Sequence, residues 1–244
     1  SDGLTIRIDG FDLKFLKPWL PDLAALSPKG TVDCALKVPV NARPIPAELA
    51  CTLTNGAFSS GDGRQAGEAL ALDLVASAQP AADGWNWKTQ LDWRQGGLYV
   101  HPIYVPAPAR LAAQGVLAAD RIRVENMDIA MAGVGVVRAR GDLSLASFAI
   151  GDMELAVEAE DLAVFGPRFL APLLAPALAD KLTFEGRAHA TATLAMGRLT
   201  TVAAELAGVS IGHSGFDFVL GPANGVLSWR DGGSGSVQLD ISGG

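Results

Sequence analysis

Residues 85–93 read WNWKTQLDW, with Trp85, Trp87, Leu91 and Trp93 at odd positions and Asn86, Lys88, Gln90 and Asp92 at even ones. In a strand, successive side chains point to opposite faces, so this stretch has one apolar and one wet face. The same period of two recurs along the chain. EALALDLVA places Leu70, Leu72 and Leu74 together, GDLSLA places Leu143 and Leu145 together, and DMELAVEAEDL sets Met153, Leu155 and Val157 against Glu154, Glu158 and Glu160. DRIRVE aligns Ile122 with Val124, whereas NMDIAM aligns Met127, Ile129 and Met131. Parity therefore slips near Glu125-Asn126, where a bulge or tight turn fits. Short strands separated by turn signals predict a mainly-β, antiparallel chain.

Two stretches depart from alternation. FLKPWLPDLAALSPKG (15–30) and FGPRFLAPLLAPALADKL (165–182) are rich in Leu, Ala and Pro. They predict short or kinked helices near 15–27 and 167–181, the second opened by Pro167 at its first turn. Each is followed by Gly, a strand and the tetrapeptide AELA. Gly30 and Gly186 correspond, as do Ala47-Glu48-Leu49-Ala50 and Ala204-Glu205-Leu206-Ala207, and Asp12-Leu13 and Asp161-Leu162. This ordered series predicts one domain over 1–244 built of two repeats, about 9–157 and an incomplete 158–244. The termini, Ser1-Asp2-Gly3 and Ser242-Gly243-Gly244, read as those of a fragment of a longer chain.

With 244 residues, 49% hydrophobic and only 18% charged, the chain is apolar for a soluble protein. A net charge of −7 disfavours nucleic acid and leaves no basic patch for anionic headgroups. A lipid partner would be met through apolar surface. No apolar run reaches the length of a spanning helix. A hairpin centred between Ala42 and Arg43 would put Cys34 opposite Cys51, at a separation a disulfide can bridge. Two buried thiols are the alternative.

Catalytic patterns fail one by one. His101, His189 and His213 have no metal-ligand spacing. GHSGF (212–216) has Phe216 where a nucleophile elbow needs Gly, and strands flank it where strand-turn-helix is required. The glutamates of 154–160 look like a solvated strand face. No cofactor and no enzymatic activity are expected.

Two architectures remain. A long open sheet would offer its apolar face as a groove, and a closed β-sandwich would bury it as core. The stretches LTTVAAELAGVSIG through GFDFVLGPANGVLSW (199–229), WNWKTQLDWRQGGLYVHPIYV (85–105) and FLAPLLAPAL before LTFEGRAHATATL resemble the AsmA-like family, in particular its YdbH branch beside TamB and YhdP. The resemblance implies envelope proteins of Gram-negative bacteria with an inner-membrane anchor at the N-terminus. It implies a periplasmic β-groove of taco-like section that carries phospholipid toward the outer membrane. On that expectation the apolar groove face comprises Leu70, Leu72, Leu74, Trp85, Trp87, Leu91, Trp93, Ile129, Met131, Leu143, Leu145, Leu155 and Val157. The expected partners are phospholipid or another acyl-chain lipid and, through regions outside this chain, the inner and outer membranes. Edge-to-edge self-association is also expected from exposed strand edges. The alternative function is a non-catalytic carbohydrate-binding or adhesion module.

Overall fold

The computed structural model describes residues 3–16, 26–39, 45–145, 149–216, 218–233 and 235–241. The protein is mainly β and antiparallel, and it divides into two compact units, Ser1–Ala118 and Ala119–Gly244. In the first lie β1 (Gly3–Asp12), β2 (Lys29–Pro39), β3 (Ala47–Ser59), β4 (Gln65–Ala81), β5 (Gly84–Val100), β6 (Ile103–Pro106) and β7 (Ala109–Leu117). They pair in chain order, β1-β2-β3-β4-β5-β7. β6 and β7 share one side of β5, with β6 on Gly97–Val100 and β7 on Trp85–Trp93.

The second unit holds β8 (Arg121–Met131), β9 (Gly135–Ser144), β10 (Ile150–Ala159), β11 (Leu182–Ala195), β12 (Arg198–His213), β13 (Phe218–Arg230) and β14 (Ser236–Ile241), again paired in chain order. Each unit is thus an open sheet, and the closed β-sandwich is not its architecture. The strands are not uniformly short, since β4 and β5 run to 17 residues each. Alternation read in short windows breaks at each bulge, but the hydrogen-bonded ladder continues through it. The slip at Glu125-Asn126 is such a place, because the register shifts between Val124 and Met127 while both remain paired to β9.

A helical segment links β10 to β11. It runs through an α-turn (Leu162–Phe165), a π-turn (Gly166–Leu170), a second α-turn (Ala171–Leu174) and a 3-10 turn (Pro176–Leu178). It begins five residues before the predicted start at 167. The side chain of Asp161 accepts a hydrogen bond from the Ala163 N–H and caps the segment there. Pro167 sits inside it instead of opening it. Lacking an N–H, Pro167 leaves a normal α-bond unmade, and the Ala171 N–H reaches back to the Gly166 carbonyl at π spacing. Of the helix predicted near 15–27, the described part is a 3-10 turn at Leu13–Leu16, and residues 17–25 lie outside the described residues.

The two stretches matched in sequence also share local geometry. Asp12 accepts from the Lys14 N–H as Asp161 does from Ala163. Gly30 (φ +119°) and Gly186 (φ +96°) each face a bulge on the next strand, formed by Asn55-Gly56 and by Gly208-Val209. A β-carbon on Gly30 would lie 2.8 Å from the Gly56 Cα, and one on Gly186 would lie 2.4 Å from the Gly208 oxygen. Both positions therefore need glycine for φ and for space.

Candidate functional site

Directly opposed residues on antiparallel strands share a face, so the register assembles rows across each sheet. In the first unit one row runs Ile8–Cys34–Cys51–Leu74–Leu91–Leu111. Beside it run Ile6–Leu36–Leu49–Ala76–Thr89–Ala113 and Phe11–Val32–Leu53–Leu72–Trp93–Ala109. Trp87 stands between Ala78 and Gly115, and Trp85 between Pro80 and Leu117. Leu70 pairs with Gly56 and fills the space that glycine leaves beside Leu53. Leu70, Leu72, Leu74, Trp85, Trp87, Leu91 and Trp93 are thereby gathered on one face.

The second unit gathers the others except Leu145. Its rows run Ile129–Val137–Val157–Ala190–Ala204–Leu227–Val237 and Met127–Ala139–Leu155–Ala192–Val202–Trp229. Met131 pairs with Gly135, and Leu143 stands between Ile122 and Ile150. Leu145 follows the end of β9, with its N–H donating to the Asp120 carbonyl. Sequence reasoning left out Leu36, Leu49, Leu53 and Leu111 from the first face, and Val202, Leu227, Trp229, Val237 and Leu239 from the second. Their alternation carries the same signal, but it weakens where Ala, Thr or Gly occupies every second place.

The apolar faces are graded from covered to open. Trp93 is 9% exposed, and its indole N–H donates to the Gln95 carbonyl at 2.8 Å. Trp85, eight residues along the same strand, is 42% exposed. The Trp87 indole nitrogen is covered and meets no acceptor. Leu4, Ile6 and Ile8 on β1 and Val237, Leu239 and Ile241 on β14 are all exposed. Cys34 and Cys51, opposed in register with Cα atoms 4.2 Å apart, form a disulfide within the apolar row.

The reverse faces are polar and cross-linked by ion pairs. Asp73 meets Arg94 and Asp92 meets Arg110 in the first unit. In the second, Arg138 bridges Asp128 and Glu158, Arg140 pairs with Glu154, and Arg123 pairs with Asp142. The Arg138 hydrogen bond holds the Glu158 carboxyl below the usual glutamate range, and that carboxylate in turn raises Arg138. Two shallow furrows of about 620 and 490 Å³ run between these side chains, sharing Arg140, Glu154 and Thr193 as walls. Arg123–Asp142 and Arg140–Glu154 neutralise each other along the walls, while Glu125 and Asp152 line the larger furrow outside these ion pairs.

His101 touches Tyr99 at 2.8 Å, His213 accepts from the Gly215 N–H, and His189 is an exposed residue on β11. No His/Cys/Asp/Glu cluster of metal-binding geometry occurs among the described residues, and no helix among them is long and apolar enough to cross a membrane.

In each unit the fold and this surface define an open antiparallel meander with one apolar and one ion-paired face. No family model, curated protein or solved structure matches the chain.

Proposed function

We propose that this chain is the periplasmic lipid-binding segment of an inter-membrane phospholipid transport protein of the AsmA-like kind, shielding acyl chains on its apolar β-faces without catalysis. The observation that carries this reading is the set of apolar rows. They cross strand after strand on one side of each open sheet, and their large side chains stay partly exposed. Apolar area of that extent, left to water, invites aggregation, and an acyl chain is a partner of matching chemistry. The ion-paired reverse face favours water. Burying one CH₂ group is worth about 0.8 kcal/mol, so a ~16-carbon chain moved through water would cost on the order of 13 kcal/mol. A continuous apolar surface lowers that barrier while the headgroup stays solvated.

The disulfide supports an oxidising compartment such as the periplasm. An inner-membrane anchor, outer-membrane contacts and outward transport belong to the same reading.

The test is native mass spectrometry of the purified chain after exposure to phospholipid vesicles, with organic extraction of what is bound. Retained phospholipid, lost when a charge is placed on the apolar face, is the expected result. A clean apo mass under all loading conditions would refute the proposal.

A further inference from the structure

The apolar face of the second unit already has an occupant. Leu162 and Ala171 of the helical segment are fully buried, at 2% and 0% exposure, against Ala159, Phe184 and Val209. Phe165 and Leu170 pack on the same cluster, which Ala188 and Leu206 extend. Ala159, Ala188 and Leu206 form one apolar row in register. The helical segment therefore lies on the face and covers its rows from Phe184 to Ala188. The adjoining rows through Val157–Ala190–Ala204 and Leu155–Ala192–Val202 continue the same surface beyond it. Gly166 permits the close approach, since a β-carbon there would sit 2.4 Å from the Phe184 ring.

The segment is poorly built to stand alone. The helical run over 162–174 is at best marginal in length for an isolated helix, and it carries a π-turn and both Pro167 and Pro172 within it. Its order derives from docking on the face. Its outer side presents Leu173 and Leu174, the latter 76% exposed, so it is apolar on both sides.

We propose that the helical segment is a built-in competitor for acyl chains, holding the Phe184–Ala188 end of the apolar face until a long chain displaces it. This rests on the lipid reading above. Two ligands for one surface exclude each other, and displacement opens further apolar rows to a chain long enough to reach them. A long fatty acid thus gains from displacement and a short one does not.

The experiment is hydrogen exchange over 162–178 in the full chain, titrated with palmitate and separately with octanoate, alongside calorimetric affinities for Gly166→Val and Leu162→Ser. Palmitate is expected to speed exchange in the segment while octanoate leaves it unchanged. Both variants are expected to bind palmitate about five-fold tighter or more, because the competing docked state is weakened. Palmitate binding with exchange over 162–178 unchanged would overturn the competitor role and leave the lipid reading standing, even if a variant failed to fold. No palmitate binding by the wild type would overturn both.

Discussion

Leu91→Asp separates an open apolar face from a closed core. Leu91 is half-buried and stands between Leu74 and Leu111 in the row that contains the disulfide. Full burial of a leucine side chain is worth about 1.5–3 kcal/mol, so its partial burial here contributes roughly half of that. An aspartate at the same place keeps contact with water and ionises at modest cost. The expected loss is about 1–2 kcal/mol in urea unfolding. In a closed core the substitution would forfeit the whole transfer term and strand a carboxylate, costing about 5 kcal/mol or more. The matched control is Val75→Asp on the reverse face, where Val75 is 57% exposed and about 0.5 kcal/mol or less is expected. The functional readout is quenching of tryptophan fluorescence by brominated phospholipid, since Trp85, Trp87 and Trp93 share the Leu91 face. Leu91→Asp should abolish quenching and Val75→Asp should preserve it. A variant that unfolds outright, or one that folds and is quenched like the wild type, would refute the assignment of this face.

Three further expectations follow from single features. Replacing Cys34 and Cys51 together by alanine removes a bridge across 17 residues and should lower stability by ~3 kcal/mol, with dithiothreitol shifting the urea midpoint of the wild type alike and leaving the variant unaffected. Glu158 is depressed in the folded state, so its contribution is present at neutral pH and lost as pH falls through its folded value. Arg138→Gln should return the Glu158 midpoint upward to the usual glutamate range in an NMR titration and flatten the acid side of the stability profile. Gly186→Ala should cost more than about 2 kcal/mol, since it adds a clash to the strain of positive φ. Gly232→Ala, also at positive φ but with nothing within 4 Å, should cost only about 1–2 kcal/mol by thermal melting.

The parts of this fold visible in the sequence are those set by period two. Trp85, Trp87, Leu91 and Trp93 could be placed on one face because a strand allows only two, and the slip at Glu125-Asn126 announced its bulge. The hairpin count that opposes Cys34 to Cys51 needed only a centre. The start of the helical segment was harder to read, because Pro167 is a conventional first-turn signal and outweighed the cap at Asp161. Pairing of Asp161 with Asp12 in the repeat was the cue to the cap. Contributions of Val202, Leu227 and Trp229 were obscured because Ala204 and Gly225 stand next to them on the same face, and only the register shows which rows those residues complete. Docking of the segment on Phe184 involves residues distant enough in sequence that no periodicity encodes it.

Chain-order pairing within each unit has a consequence for how such a molecule changes size. Apart from β6, which pairs with β5 alone, the strands of each unit pair with their neighbours in chain order, so stability accumulates hairpin by hairpin as in a one-dimensional array. Adding or deleting a whole hairpin leaves the others with their own partners and keeps the parity of the faces. Length becomes adjustable in units of two strands, and loosening begins at the outermost strand and spreads inward one neighbour at a time.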